Sequence, residues 1–188
     1  MSKNRDWFNL EDFSGSFVFN VFSGDRYLIL YNKFLIPVDH CLYVISFRNE
    51  FENIDSTIFV ILLNSSYLPM IYEIFGRALT GSLPLLEIMI YEVNKYIFLL
   101  DPQQYNFSNK IKNEITRIIN RPIKSIFIEL GFDPNKPIRE QEPNPLPDRK
   151  ALDDIVFDTL GLTEEERKEV YLAVAELVQN RLKKAKSV

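Results

Sequence analysis

The only histidine of the chain, His40, stands beside its only cysteine, Cys41. Imidazole nitrogen and thiolate sulfur are ligands that zinc prefers, but a zinc site takes four ligands, and these two residues need carboxylates to complete one. We therefore interpret His40 as a loop or core residue, and the sequence predicts no metal site. A lone cysteine also forms no disulfide within the chain, which is typical of proteins in a reducing cytoplasm.

Acidic residues are the other candidates for chemistry, since paired carboxylates can act as general acid and base. Two compact groups are Asp153-Asp154 and residues 164–166. Both lie near predicted helix starts, where the helix dipole favours negative charge. We interpret them as helix N-terminal charges, so the sequence predicts no catalytic pair. It also has no glycine-rich dinucleotide fingerprint, no phosphate-binding loop and no nucleophile elbow.

Composition bounds the class of protein. The 188 residues suit one medium domain or two small ones, and a hydrophobic content of 46% is enough for a substantial core. The net charge of −4 argues against a strongly basic, non-specific nucleic-acid binder. Residues 1–10 are polar, unlike a signal peptide, and apolar runs such as 58–63 are too short to span a membrane. We expect a soluble cytoplasmic protein without a membrane partner.

Alternating apolar residues and turn signals predict a meander of four short strands within residues 15–48. The predicted strands are Phe17–Phe22, Tyr27–Tyr31, Phe34–Val38 and Cys41–Phe47. Two helical segments follow, the first from Thr57 to Leu63. The second is capped by Asn64-Ser65-Ser66 and ended by Gly76. Residues 85–91 predict a further strand.

The second half of the chain has helical spacing. Ser108 is the predicted cap of a helix with isoleucines at 111, 115, 118 and 119, and Gly131 ends a short helix over 123–130. Asp148 is the predicted cap of the next helix, which Gly161 ends. Thr163 and Glu166 form a predicted capping box for the last one.

These elements predict an α+β fold, with a small antiparallel or mixed β-sheet region, packed helices and a C-terminal helical pair. Five prolines between residues 134 and 147 forbid regular structure there. We therefore divide the chain into an α+β domain over 1–132, a proline-rich linker over 133–147 and the helical pair over 148–188.

Several stretches of the sequence together resemble one family. They are Leu62 to Leu68, Glu73 to Arg77, the Gly24-Asp25-Arg26-Tyr27 turn, Leu86-Glu87-Ile88, Asp101-Pro102 and the helical pair that begins at Asp148-Arg149. In order and spacing they resemble the TaqI-like C-terminal specificity domain of adenine-specific DNA methyltransferases from restriction-modification systems. The resemblance runs from about residue 15 to the end. One departure is the family's glycine-rich bend, which is reduced to Gly81.

The resemblance implies a target-recognition domain that reads base edges in double-stranded DNA and helps to position the target base. Catalysis and S-adenosylmethionine binding belong to a separate catalytic domain or subunit of such enzymes. In agreement, the chain has no Pro-Pro pair, so the Asn/Asp-Pro-Pro-Tyr/Phe tetrapeptide of adenine methylation is absent. We therefore expect no enzyme activity and no cofactor in this chain alone.

The DNA-binding candidates are polar residues at turns and helix ends: Arg26, Arg77, Lys33, Asn32 and Ser65. An arginine can read guanine with two hydrogen bonds or contact a phosphate, which fits Arg26 and Arg77. Lys33 and Asn32 lie at a predicted turn tip with good reach. Ser65 has a helix cap as its competing role.

Two questions stay open at the level of sequence. The first is whether the chain is a recognition domain of such an enzyme or a free-standing protein-interaction or specificity subunit derived from one. The closing helices can either complete the core of this chain or dock on the catalytic half.

Overall fold

The computed structural model describes residues 14–27, 29–46, 61, 63–79, 83–96, 113, 116–118 and 120–187. The fold is α+β, as predicted, with two small three-stranded sheets and packed helices. Among the described residues, no helix is both long enough and apolar enough to cross a membrane. The predicted helices over 57–63 and after Ser108 lie largely outside this range.

The first sheet is antiparallel, with strand order β3-β1-β4. Its strands are β1 (Phe17–Asn20), β3 (Ile29–Tyr31) and β4 (Leu42–Ile45). Since β1 lies in the centre, the strands do not form the predicted meander. The predicted strand Phe34–Val38 is also wrong. The Asn32 side chain accepts from Ile36 N–H at 3.0 Å and donates to Ile36 C=O at 2.9 Å, which closes a loop there.

The second sheet is antiparallel, with strand order β2-β6-β5. Its two-residue strands are β2 (Phe22–Ser23), β5 (Arg77–Ala78) and β6 (Leu86–Glu87). The strand predicted over 85–91 is therefore much shorter in the structure. Its end has a local cause, because the Glu92 carboxylate accepts from Met89 N–H at 2.8 Å and so starts a helix at Ile90.

Five α-helices have both ends within the described residues, and a 3-10 turn lies at Ile138–Glu140. They are α1 (Tyr67–Phe75), α2 (Ile90–Tyr96), α3 (Ile126–Leu130), α4 (Pro147–Thr159) and α5 (Glu164–Lys186). The predicted stops at Gly76 and Gly131 are confirmed. Gly131 has φ +79°, a left-handed conformation that glycine adopts without strain.

Of the two caps predicted for the closing helices, one is confirmed. Thr163 N–H donates to the Glu166 carboxylate at 2.8 Å, and Glu166 N–H donates to Thr163 Oγ1 at 3.3 Å. Asp148 is not a cap, because α4 begins one residue earlier, at Pro147. Proline suits this first helical position, where an N–H would have no helical partner.

Helices α4 and α5 contribute to the same core as the strands. Leu152 and Val156 of α4, together with Val174 of α5, belong to the buried cluster that includes Phe17 and Phe19 of β1. Helical spacing also predicts an inward position for Leu177 of α5, but this side chain is 39% exposed. The boundaries at 132 and 147 stay a prediction, although both sides of them share this core.

The capping box predicts a measurable contribution to stability. We expect Thr163→Ala to lower the free energy of unfolding by about 1 kcal/mol, because it removes the acceptor for Glu166 N–H. Urea denaturation of the full chain checks this value. Glu165→Gln is the matched control, since this neighbouring exposed carboxylate takes no part in the reciprocal cap. Equal losses for both variants would contradict the capping role.

Candidate nucleic-acid interface

The start of α1 is buried, and α4 supplies its hydrogen-bond acceptor. Ser66 N–H and Ser66 Oγ donate to the Asp153 carboxylate at 2.5 and 2.7 Å. Both residues are fully buried. Asp153 is therefore a charge at a helix N-terminus, as predicted, but the helix is α1 rather than its own.

Asn64 acts as an additional partner for the edge strand β3. Its side-chain carbonyl accepts from Ile29 N–H at 3.2 Å, and its side-chain amide donates to Ile29 C=O at 3.1 Å. The backbone carbonyl of Asn64 accepts a hydrogen bond from the Arg149 guanidinium of α4. One asparagine thus connects the first sheet, the start of α1 and α4.

Four charged side chains form a balanced cluster beside Asn64. The Arg121 guanidinium donates to Glu129 at 2.7 and 2.6 Å and to Asp148 at 2.5 Å. Arg149 Nε donates to Glu129 at 3.3 Å. Burial works against ionisation of Asp148, but the hydrogen bond and charge of Arg121 hold the pKa of this carboxyl below its ordinary value. Two positive and two negative charges compensate each other, as partly buried ions require.

A cleft of about 100 Å³ lies over this cluster, between β3 and the side chains of Ile118, Arg121 and Ile123. Arg121, Glu129 and Arg149 contribute polar atoms to its lining. The exposed side chain of Tyr31 and the partly exposed side chain of Ile123 lie on its apolar side. A neighbouring depression shares Arg121 and adds Arg117, Lys124 and the chain around Pro147. Basic side chains beside an exposed aromatic ring are residue types found in nucleic-acid contacts, but Arg121 and Arg149 are neutralised here by Glu129 and Asp148.

The sequence contained a signal for part of this cluster. Positions 149, 152, 153 and 156 share one face of a helix, and Leu152 and Val156 are predicted core residues. Arg149 and Asp153 therefore lie on the apolar face of α4, where a charged side chain needs a partner. Arg121 has no comparable signal, because it precedes Pro122 in a segment without helical spacing.

Two of the predicted DNA-binding residues are exposed at opposite ends of β3. Arg26 precedes this strand, next to Asp25, whose carbonyl accepts from Ile126 N–H at 2.7 Å. Lys33 follows the strand, and its ammonium lies 5.7 Å from the centre of the Phe34 ring. Asn32 is adjacent, but its amide is used to close the loop.

The other two candidates lie elsewhere. Arg77 is in β5, where its Nε and Nη2 donate to Glu92 Oε1 at 3.2 Å and its guanidinium lies 5.4 Å from the Tyr91 ring centre. Its side chain is still half exposed. Ser65 is fully buried and so does not reach DNA, which corrects the prediction for this residue. The structure therefore does not bring the five candidates together.

No protein-family model matches the chain, and comparisons with characterised proteins and with solved structures give no match either. The proposed function therefore depends on the contacts, burial and charge of the described residues.

The buried carboxylate predicts an unusual pH dependence. Burial raises the pKa of Asp153 to about 6, against the lowering effects of Arg149 and Ser66. An unfolded aspartate has a pKa of about 4, so the folded state binds more protons between these values. The contribution of Asp153 to stability is therefore greatest below pH ~4, falls by roughly 2–3 kcal/mol as pH rises to ~6, and is constant above.

Urea denaturation over this pH range, with Asp153→Asn beside the native chain, isolates the effect. We expect the variant to lose this component, so that the difference in unfolding free energy between the two proteins changes with pH. Asp154→Asn is the control, because Asp154 is on the outer side of α4 and binds Lys150. Parallel profiles for the native chain and Asp153→Asn would contradict the assignment.

Proposed function

We propose that this chain is the DNA sequence-recognition module of an adenine-specific DNA methyltransferase, acting with a catalytic domain that holds S-adenosylmethionine. One observation carries the proposal. The two stretches on which the resemblance rests most, 62–77 and 148–167, contact each other in the fold through Asn64–Arg149 and Ser66–Asp153. These partners are 85 and 87 residues apart in sequence.

The contacts support the proposal because all four partners lie within the stretches that resemble the recognition domain. Asn64, Ser66, Arg149 and Asp153 are committed to holding the fold, so their identities are independent of the DNA sequence that is read. Residues that read bases must differ with the target, and they belong on exposed loops. The residues that carry the resemblance are thus residues that hold the fold together.

Exposed polar and aromatic side chains around β3 supply a surface for DNA. Lys33 and Arg26 are cations at its two ends, and Tyr31 offers a ring for contact with bases or sugars. Lys124 lies in the depression beyond Arg121. Because the whole chain has a net charge of −4, we expect weak affinity that depends strongly on salt, with the catalytic domain supplying further phosphate contacts.

The proposal predicts sequence-selective DNA binding by the full chain. We expect selection from randomised duplexes at low salt to enrich one sequence. Arg26→Ala should then cost ~1–3 kcal/mol on that sequence and relax preference at one base pair, as for a base-reading arginine. Lys33→Ala should weaken all sequences alike and reduce the salt slope by about one, as for a phosphate contact.

Arg139→Ala is the matched control, because this exposed arginine is remote from β3 in sequence and is bound by Glu169 and Glu176 of α5. We expect its binding to equal that of the native chain. If the selection enriches no sequence, the recognition role is wrong. If Arg139→Ala weakens binding as much as the two other variants, the interface is misplaced.

Exposed apolar residues favour a second candidate, a protein-interaction or specificity subunit derived from such an enzyme. Phe34, Leu35 and Ile36 are 77%, 54% and 59% exposed. Contiguous exposed apolar surface commonly marks a contact with another protein. The same selection separates the candidates, since a subunit that only binds proteins would enrich no DNA sequence.

A further inference from the structure

A rigid turn before β4 presents three neighbouring metal-binding side chains. Leu42 N–H donates to Asp39 C=O at 3.0 Å, and Cys41 N–H donates to the Asp39 carboxylate at 3.0 Å. Cys41 C=O in turn accepts from Val21 N–H at 3.1 Å, next to the pairing of β4 with β1. The backbone that carries Asp39, His40 and Cys41 is therefore fixed to the first sheet.

The donor atoms of these side chains are close together. His40 Nε2 lies 3.7 Å from Cys41 Sγ, whereas Nδ1, on the other side of the ring, lies 3.1 Å from an Asp39 carboxylate oxygen, so an ion on either nitrogen has one of these two neighbours at that spacing. One donor atom from each of the three residues lies within 4.8 Å of the others. In a tetrahedral zinc site, nitrogen at ~2.0 Å and sulfur at ~2.3 Å from the metal are about 3.6 Å apart. The observed spacing of nitrogen and sulfur is close to that value.

We propose that Asp39, His40 and Cys41 bind one divalent cation of the zinc class, with water in the remaining position. Thiolate and imidazole select a borderline-soft ion over magnesium or calcium, and the carboxylate is a third acceptable ligand. The exposure of all three side chains leaves the site open to the ion and to water. The sequence prediction of no metal site held that His40 and Cys41 need several carboxylates, whereas the proposed site uses one, Asp39.

Binding requires loss of one proton. When the metal–sulfur bond forms, the S–H bond breaks and the proton passes to solvent.

Because the chain has a single cysteine and a single histidine, a thiolate signal can come only from Cys41 and an imidazole signal only from His40. The experiment titrates Co²⁺ into the full, untagged chain with a non-thiol reductant. We expect a thiolate-to-cobalt charge-transfer band that saturates at one Co²⁺ per chain and disappears when Zn²⁺ is added. Cys41→Ser should abolish the band, and His40→Ala and Asp39→Asn should each weaken binding about tenfold or more.

Asp133→Asn is the matched control, because Asp133 also accepts a turn hydrogen bond, from Asn135 N–H, in the absence of a neighbouring histidine or cysteine. We expect its titration to equal that of the native chain, and circular dichroism checks that each variant folds. Three results would overturn the proposal: no charge-transfer band, a band of unchanged affinity in His40→Ala, or saturation at one Co²⁺ per two chains.

Discussion

Ser66, the residue just before α1, is fully buried, so its backbone N–H has no water to bind. An unsatisfied buried donor costs about 1–3 kcal/mol, so the fold has to supply an acceptor. Asp153 of α4 does so, and its charge also favours the positive end of the helix dipole. Arg149 lies one turn earlier on the same face of α4 and binds the carbonyl of Asn64. These two contacts orient α4 toward the start of α1, and α5 packs into the same buried core.

The same constraint separates the residues that hold the fold from those free to contact a ligand. Asn64 and Ser66 are bonded to β3 and α4, although Asn and Ser side chains at a helix start are residue types that can bind a phosphate. Exposed cations remain at the ends of β3, at Arg26 and Lys33. The proposed recognition role needs this division, because the residues that hold the fold would stay constant while exposed loop residues that contact DNA would vary.

Features set by local sequence could be predicted. Gly76 and Gly131 end helices, and Thr163 with Glu166 caps one, because each needs only residues a few positions apart. Features set by distant partners could not. Phe34–Val38 has strand-forming residues, but the Asn32 side chain closes a loop there. The partner of Asp153 is 87 residues away, so its charge could be assigned to a helix start, but not to the correct helix. Ser65 was open to either a cap or a DNA contact until its burial was known.

The hydrogen bonding that joins residues 62–77 to residues 148–167 is tested most directly by a double-mutant cycle on Ser66 and Asp153. Unfolding free energies are measured in urea for the native chain, Ser66→Ala, Asp153→Asn and the double variant. A buried hydrogen-bonded pair predicts a coupling free energy of about 1 kcal/mol or more. Effects that add to within ~0.3 kcal/mol would contradict the account, because the two residues would then contribute independently.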